Sequence, residues 1–505
     1  MVQQRQKILN FDNNNPDYIL KWSNSDLIIE GKEENKKLEK AFTYTKKDLV
    51  WDPRSRTRKT QFSQEKVYNK TVTSSENGER LVVYQTLQGL MDKTCAVLSK
   101  QGLSFSIQDF RLPLPKPKLE TMFGFRFNQK EVITKALVAE RSGLVKAPTR
   151  YGKTVLITNT INAFPNTKIA VLAPGVNLLP QLVDAIKKYC PDRAVKGIFS
   201  GSRDKVESED VTVCSLDSMH KLDKDSFKLI LIDEPHSIAT NDRAPQLVEF
   251  SNARILGFGA TTEGRYDGRD IYIEGLIGPV LSEVTYPEAV AMGALCPIHV
   301  YCLKIPYKPM GYKQRQAAYN AYLFGNKQFH QIVGQICNDV IPKDWQTLIF
   351  IDNEKEALSL NEHITNGYIA MDKRFKNAKE REQIFADLKS EKIKRCICSN
   401  IYSTGVTINN LKCEINCDDG GGSILSVQKP GRLAEIKPGK KEGIMIDFIF
   451  TPISTHADIG SADLQIQKDS FNRLTTYQQK GYIISIFDSI EELKTAILNN
   501  NLTTE

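Results

Sequence analysis

Apolar runs alternate with amphipathic stretches over most of the chain. Lys168 to Ala173 (KIAVLA), Val211 to Ser215 (VTVCS), the apolar start of Leu229 to His236 (LILIDEPH) and Ile255 to Thr262 (ILGFGATT) read as buried strands. With intervening helices such as Val132 to Ala139, they predict a parallel sheet covered on both faces. The same pattern returns at Thr347 to Ile351, Arg395 to Ser399, Lys412 to Asn416 and Gly443 to Phe450, so a second α/β lobe is expected. The first 115 residues differ. Leu27 to Ile29, Phe42 to Tyr44, Leu81 to Tyr84 and Phe105 to Ile107 predict short strands, and Leu87 to Leu98 carries apolar residues at helical spacing. Three prolines in Arg111 to Lys118 (RLPLPKPK) mark a semi-rigid boundary. The expected domains are residues 1–115, small and α/β; 116–285, the first lobe; and 286–505, the second. Ser454 to Glu505 is expected to pack on the second lobe through Gly481 to Phe487 and a helix from about Asp488.

Composition changes this picture little. The 505 residues are 41% hydrophobic and 25% charged, with a net charge of +8, which permits a polyanionic partner without requiring one. The polar N-terminus and the lack of an apolar run near 20 residues predict a cytoplasmic protein with no membrane partner. Ten scattered cysteines are expected to stay reduced. Cys396, Cys398, Cys413 and Cys417 raise a zinc site, but they fall in apolar strands without tight C-x₂-C turns, so the core reading is preferred.

The chemistry concentrates in Ala147 to Thr154 (APTRYGKT), between a strand tip and a helix start. Gly152 lets the backbone turn, Lys153 offers an ammonium to phosphates and Thr154 a hydroxyl to Mg²⁺. The loop departs from the general phosphate-binding pattern in having Ala147 for its first glycine and bulky Arg150 and Tyr151 inside it. Asp233 and Glu234 close the LILI strand, suited to holding Mg²⁺ and to deprotonating an attacking water. Gln129, ahead of the loop, could read an adenine edge. Pro174, Gly175 and Ser215 lie after strand ends, where open α/β sheets bind ligands. Lys46 to Lys70 mixes cations with rings, including Arg54, Arg56 and Arg58; a nucleic-acid groove or a solvated loop would both explain it.

APTRYGKT, LIDEPH and GFGATT, in that order, resemble motifs I, II and III of superfamily-2 helicases and translocases. FRFNQ (Phe125 to Gln129) resembles their glutamine motif, Asn400 to Asn409 (NIYSTGVTIN) motif V and Gln428 to Arg432 (QKPGR) motif VI. Arg265-Tyr266-Asp267 is similar to the Arg-Glu-Asp element of XPB-type repair helicases, and the phage UvsW branch is the other close subfamily. The resemblance implies two RecA-like lobes, ATP and Mg²⁺ as cofactors, and DNA, whether single-stranded, duplex or branched, as partner of a monomer that works beside repair or replication proteins. It implies catalytic roles for Lys153, Asp233, Glu234 and Arg432, nucleotide contacts at Gln129, Thr149, Gly152, Lys153, Thr154 and Gly405, and metal contacts at Thr154 and Asp233. Nucleic-acid contacts are implied at Pro174, Gly175, Ser215, Arg265, Ser403 and Thr404. One departure stands out: motif VI usually ends in a second arginine, and here that position is Glu435. Lys437, Lys440 or Lys441 could substitute, or hydrolysis could be slow. A nucleotide-gated binder, a duplex-pumping subunit of a restriction or remodelling assembly and an RNA helicase are the alternatives.

Overall fold

The computed structural model describes residues 16–52, 57–75, 77–175, 179–198, 209–261, 265, 267–351, 354–371, 378–399, 408, 411–418, 429–437, 440–453 and 459–502. The chain divides into two compact units, one of residues 1–147 with 152–284, the other of 285–505 with Pro148 to Tyr151.

The first unit begins with a five-stranded mixed sheet of β1 (Tyr18–Trp22), β2 (Asp26–Gly31), β5 (Tyr68–Ser74), β6 (Arg80–Leu87) and β7 (Phe105–Asp109), in the order β5-β6-β2-β1-β7. Alternate residues of β1 and β2 are buried, as a sheet with one covered face requires. Leu20, Leu27, Ile29, Tyr84 and Leu98 form a core closed by the helix Met91–Ser99. Between β2 and β5 the chain makes a separate two-stranded ribbon, β3 (Thr43–Asp52) and β4 (Thr57–Lys66), paired from Thr43↔Lys66 to Asp52↔Thr57. The sequence marks this segment only as basic and aromatic.

The rest of the first unit is a seven-stranded parallel sheet. Its strands are β8 (Gly143–Lys146), β9 (Ile169–Ala173), β10 (Val195–Ile198), β11 (Val211–Ser215), β12 (Leu229–Asp233), β13 (Arg254–Gly259) and β14 (Val280–Glu283), in the order β10-β11-β9-β12-β13-β8-β14. β9 and β11 are buried at every position, which is why they read as continuous apolar runs. The small domain is fused to this lobe, because Gln88 donates from its amide to the carbonyls of Leu276 and Ile277 and Lys93 pairs with Glu274 at 3.0 Å.

The second unit is again a seven-stranded parallel sheet. It comprises β15 (Ile298–Tyr307), β16 (Gln346–Phe350), β17 (Gly367–Ala370), β18 (Arg395–Cys398), β19 (Leu411–Asn416), β20 (Gly443–Pro452) and β21 (Ile483–Phe487), ordered β17-β18-β16-β19-β20-β15-β21. Counted from each lobe's own first strand, both sheets run 3-4-2-5-6-1-7. Two copies of one topology are present although the sequence shows no internal repeat. In the tail, β21 pairs with β15 at the sheet edge, and the helix Asp463–Gln479, which the sequence did not signal, packs against β20.

Cys396 and Cys398 of β18, Cys413 of β19 and Cys417 just after it are buried core thiols, and burial raises the pKa of Cys398 and Cys413. Among the described residues, no group of His, Cys, Asp and Glu is placed to hold a metal. Nor is any described helix long and apolar enough to cross a membrane.

Candidate nucleotide site

β8 ends at Lys146, and after the loop the helix Lys153–Ala163 begins from Gly152 as its N-cap. Gly152 has φ +102° and ψ 43°, a left-handed conformation that side chains resist. A Cβ there would also lie 2.6 Å from the Gln129 side-chain nitrogen, so the glycine is required twice over. No side chain caps the first turn, which leaves its amide donors and the positive end of the helix dipole suited to an anion.

Two strands away, β12 carries Asp233 to its tip, and Glu234 follows with φ +51°. Its amide donates to the Phe258 carbonyl at 3.0 Å, anchoring the turn to β13. That turn brings Glu234 Oε1 to 2.5 Å from Lys153 Nζ, while Glu234 Oε2 lies 3.5 Å from His236 Nδ1. Burial alone would raise the Glu234 carboxyl, but the Lys153 ammonium outweighs it and holds it below the usual range. Asp233 moves the other way, pushed up to about 6 by burial and by the Glu234 charge. The two neighbouring carboxyls are thereby split into a readily ionised one and one that keeps its proton longer. Burial holds His236 below its ordinary value and therefore neutral at pH 7.

The donor set suits a triphosphate with a divalent ion. Lys153 and the helix start supply positive charge, and Thr154 is exposed at the helix's second residue. Asp233 is partly open to solvent. One carboxylate and one hydroxyl, completed by phosphate oxygens and water, are what Mg²⁺ usually accepts.

Other residues singled out in the sequence have varied placements. Gln129 is buried, its carbonyl accepts from the Arg126 amide at 2.9 Å, and its nitrogen rests over Gly152. It braces the loop, and the adenine contact expected of it would require that amide to turn away. Thr149 is half-buried in the loop, and Pro174 and Gly175 are half-buried at the end of β9. Ser215, expected at a nucleic-acid contact, is 1% exposed, and its hydroxyl caps the turn Leu216–Lys221 by accepting from the Ser218 amide. Arg265 is committed inside the protein, donating to both Asp267 carboxylate oxygens and to the His236 carbonyl. Ser403, Thr404, Gly405, Arg54 and Arg56 lie outside the described residues. Arg58 sits on β4 opposite Trp51.

In the second unit, Arg432 ends the short turn Pro430–Arg432 and is buried. Burial lowers its pKa to about 10, with Glu414 on β19 opposing the shift. Lys429, one turn earlier, begins a buried polar chain. Its ammonium donates to Asp418 at 2.7 Å and Asn416 at 3.1 Å, Asn416 donates to Asp447 at 3.3 Å, and Arg473 and Tyr477 also donate to Asp447. Motif VI is thus tied to the helix Asp463–Gln479. Sequence reasoning missed this chain, although a carboxylate within an apolar strand, as in GIMIDFIF or KCEIN, is a signal that buried partners exist. Of the lysines that could replace the missing arginine, Lys440 is engaged with the carbonyls of Leu411 and Leu433, and Lys437 pairs with Glu435 at 3.0 Å.

Glu414 is wholly buried, and neither carboxylate oxygen has a hydrogen-bond partner among the described residues. Burial lifts its pKa from 4.5 to about 8, against the pull of Arg432 and Lys429. The folded state therefore keeps a proton that the unfolded chain releases above about pH 4.5, and stability falls as pH rises from there towards 8. Glu414→Gln should remove that slope. Its melting temperature should exceed the wild type's by several degrees at pH 8.5, since one pKa unit is about 1.4 kcal/mol and 1 kcal/mol is worth about 2–4 °C in a domain of this size. At pH 5 the two proteins should melt together; equal shifts at both pH values would show that Glu414 does not titrate in this range.

Residues 122–264 match the family described as type III restriction enzyme, res subunit, and residues 331–437 match the helicase conserved C-terminal domain. Together the two matches support a superfamily-2 helicase. A protein named as helicase 22 of Sulfolobus islandicus filamentous virus is 27% identical over 348 residues, covering 61% of this chain and 60% of that protein. A Saccharomyces cerevisiae protein named as the ATP-dependent helicase IRC3 is 25% identical over 398 residues, covering 71% of this chain and 56% of its own length. This chain thus spans less than two thirds of the length of these relatives. Among solved structures, the DNA-bound type ISP restriction-modification enzyme LlaBIII superposes with a TM-score of 0.50 at 14% identity, over 76% of this chain and 33% of that one. That likeness concerns the fold.

Proposed function

We propose that the protein is an ATP-driven DNA helicase or translocase that remodels branched DNA in repair, recombination or replication. The observation that carries the ATPase part is the Lys153–Glu234 pair at 2.5 Å, formed between a left-handed glycine turn at a helix start and the carboxylate tip of β12. In this reading the helix start and Lys153 hold the β/γ-phosphates, which draws the ammonium off Glu234 and leaves that carboxylate to orient and deprotonate water. Thr154 and Asp233 would hold Mg²⁺, which neutralises phosphate charge when bound. Arg432 would stabilise the charge that develops on the γ-phosphate.

The choice of DNA is supported by the basic ribbon and by the DNA-bound state of the type ISP relative. Residues 43–66 hold seven Lys and Arg against three Asp and Glu. Replacing Arg54, Arg56 and Arg58 together by Ala should lower DNA affinity and flatten the dependence of log K on log salt by up to about 2–3, because each phosphate contact contributes about 0.9 to that slope. An unchanged slope would show that these arginines touch no phosphate. The substrate is tested by ATP turnover with single-stranded, duplex and forked DNA and with RNA. Forked DNA should stimulate most; stimulation by RNA alone would reassign the substrate, and ATP binding with no turnover on any of them would favour a nucleotide-gated binder.

A further inference from the structure

At the seam between the small domain and the first lobe lies a cavity of about 270 Å³ that shares no lining residue with the nucleotide site. Two short helices of the lobe, Arg243–Val248 and Asp270–Ile277, supply most of its wall, and Leu87 at the end of β6 closes it from the small domain. Ala244 and Val248, one turn apart on the first helix, and Leu276 on the second make that wall apolar. Tyr272 adds a ring, held edge to face against Tyr44 with centroids 5.8 Å apart. Leu87 and Tyr272 each pack against the cores of both the small domain and the lobe, so the cavity lies where the two are joined. Asn241 and Pro245 are exposed, and the cavity opens to solvent beside them.

One cation interrupts the apolar lining. Arg269 donates from Nη2 to Asn241 Oδ1 at 2.6 Å, yet its Nε is buried without a hydrogen-bond partner among the described residues. No described carboxylate forms an ion pair with it, because Asp267 and Asp270, close to it in the chain, are engaged by Arg265. A donor withdrawn from water and left unmatched is costly, so the arrangement favours an acceptor. For a guanidinium, a carboxylate is the acceptor that fits best.

We propose that this cavity is a binding site for a small aromatic carboxylate, with its ring against Tyr272, Val248 and Leu276 and its carboxylate on Arg269. The volume, filled at the density of a protein interior, holds a fused ring of about ten carbon atoms with one carboxylate. Apolar walls with a few polar groups to one side are the usual make-up of a small-molecule site, and a junction between domains is a usual place for one. Tyr272 offers the ring a partner of its own kind. Because Leu87 belongs to the small domain and the other walls to the lobe, a bound molecule fastens the two together and stabilises the folded chain by mass action. The site stands apart from the DNA-motor reading and is tested without it.

The probe is 2-naphthoate, titrated calorimetrically into the full chain at neutral pH, with 2-naphthalenemethanol as its uncharged counterpart. The acid should bind once per chain with a Kd of about 1 mM or tighter. The alcohol, which lacks the charge-assisted contact, should bind at least about tenfold more weakly. Arg269→Gln should bring the acid down to the affinity of the alcohol, and Arg269→Lys should recover part of the difference. Ala244→Phe, which fills the cavity, should abolish binding of both; Val248→Trp, one turn away, should do the same and guards against a folding defect peculiar to one variant. No saturable binding of the acid by the wild type up to its solubility limit would overturn the site, as would binding that survives in both Ala244→Phe and Val248→Trp. Equal affinity of the wild type for acid and alcohol would overturn the assignment of a carboxylate.

Discussion

Arg432→Ala should lower DNA-stimulated ATP turnover by about 10³- to 10⁵-fold, the range spanned by arginine fingers, or roughly 4 to 7 kcal/mol of barrier. Two features make the expected loss large. Glu435 replaces the second arginine of motif VI, so the guanidinium usual at that position is missing. Lys440 is engaged with the Leu411 and Leu433 carbonyls and Lys437 with Glu435, so neither is poised to take over. The loss should appear in kcat, with ATP affinity little changed, because the cation acts on charge that develops during reaction. Turnover at the wild-type rate in the folded variant would show that motif VI has been misplaced.

Glu234→Gln should leave ATP binding intact and lower turnover by about 10²- to 10⁴-fold, the usual worth of a positioned general base. The amide keeps the shape of the carboxylate but cannot take a proton. It also ends the ion pair with Lys153, freeing the ammonium, so ATP should bind as tightly as in the wild type or more tightly. Weaker ATP binding together with undiminished hydrolysis per bound nucleotide would contradict the role given to Glu234.

Fully buried strands were the most legible part of the fold, because strands covered on both faces are mostly apolar along their whole length. VTVCS and KIAVLA became β11 and β9 within a residue of their expected ends. β15, ten residues long, was largely missed since HVYCLKIPY mixes polar and apolar positions, and its identity depends on pairing with β20 and β21. Nothing local marks the β3–β4 ribbon as one element either: it buries little, and it is held at its base by Tyr44, Gly268 and Asp267, residues far apart in sequence. The site was legible where chemistry depends on adjacent residues, as in GKT and IDE. It was not legible where a side chain's role depends on what lies above it. Ser215, expected at a nucleic-acid contact, is a buried cap, and Arg265 is clamped inward by Asp267. The partners of Asp447 on a helix 26 and 30 residues downstream likewise emerge only from the fold.

The central claim, that ATP hydrolysis at Lys153 and Glu234 drives rearrangement of DNA, is tested most directly by following a labelled four-way junction or fork through strand exchange. Wild-type protein should convert it when supplied with ATP and Mg²⁺, and should fail with a non-hydrolysable analogue or as Glu234→Gln. Equal conversion with and without hydrolysable ATP, or no conversion of any branched DNA by a protein that hydrolyses ATP when DNA is added, would contradict it.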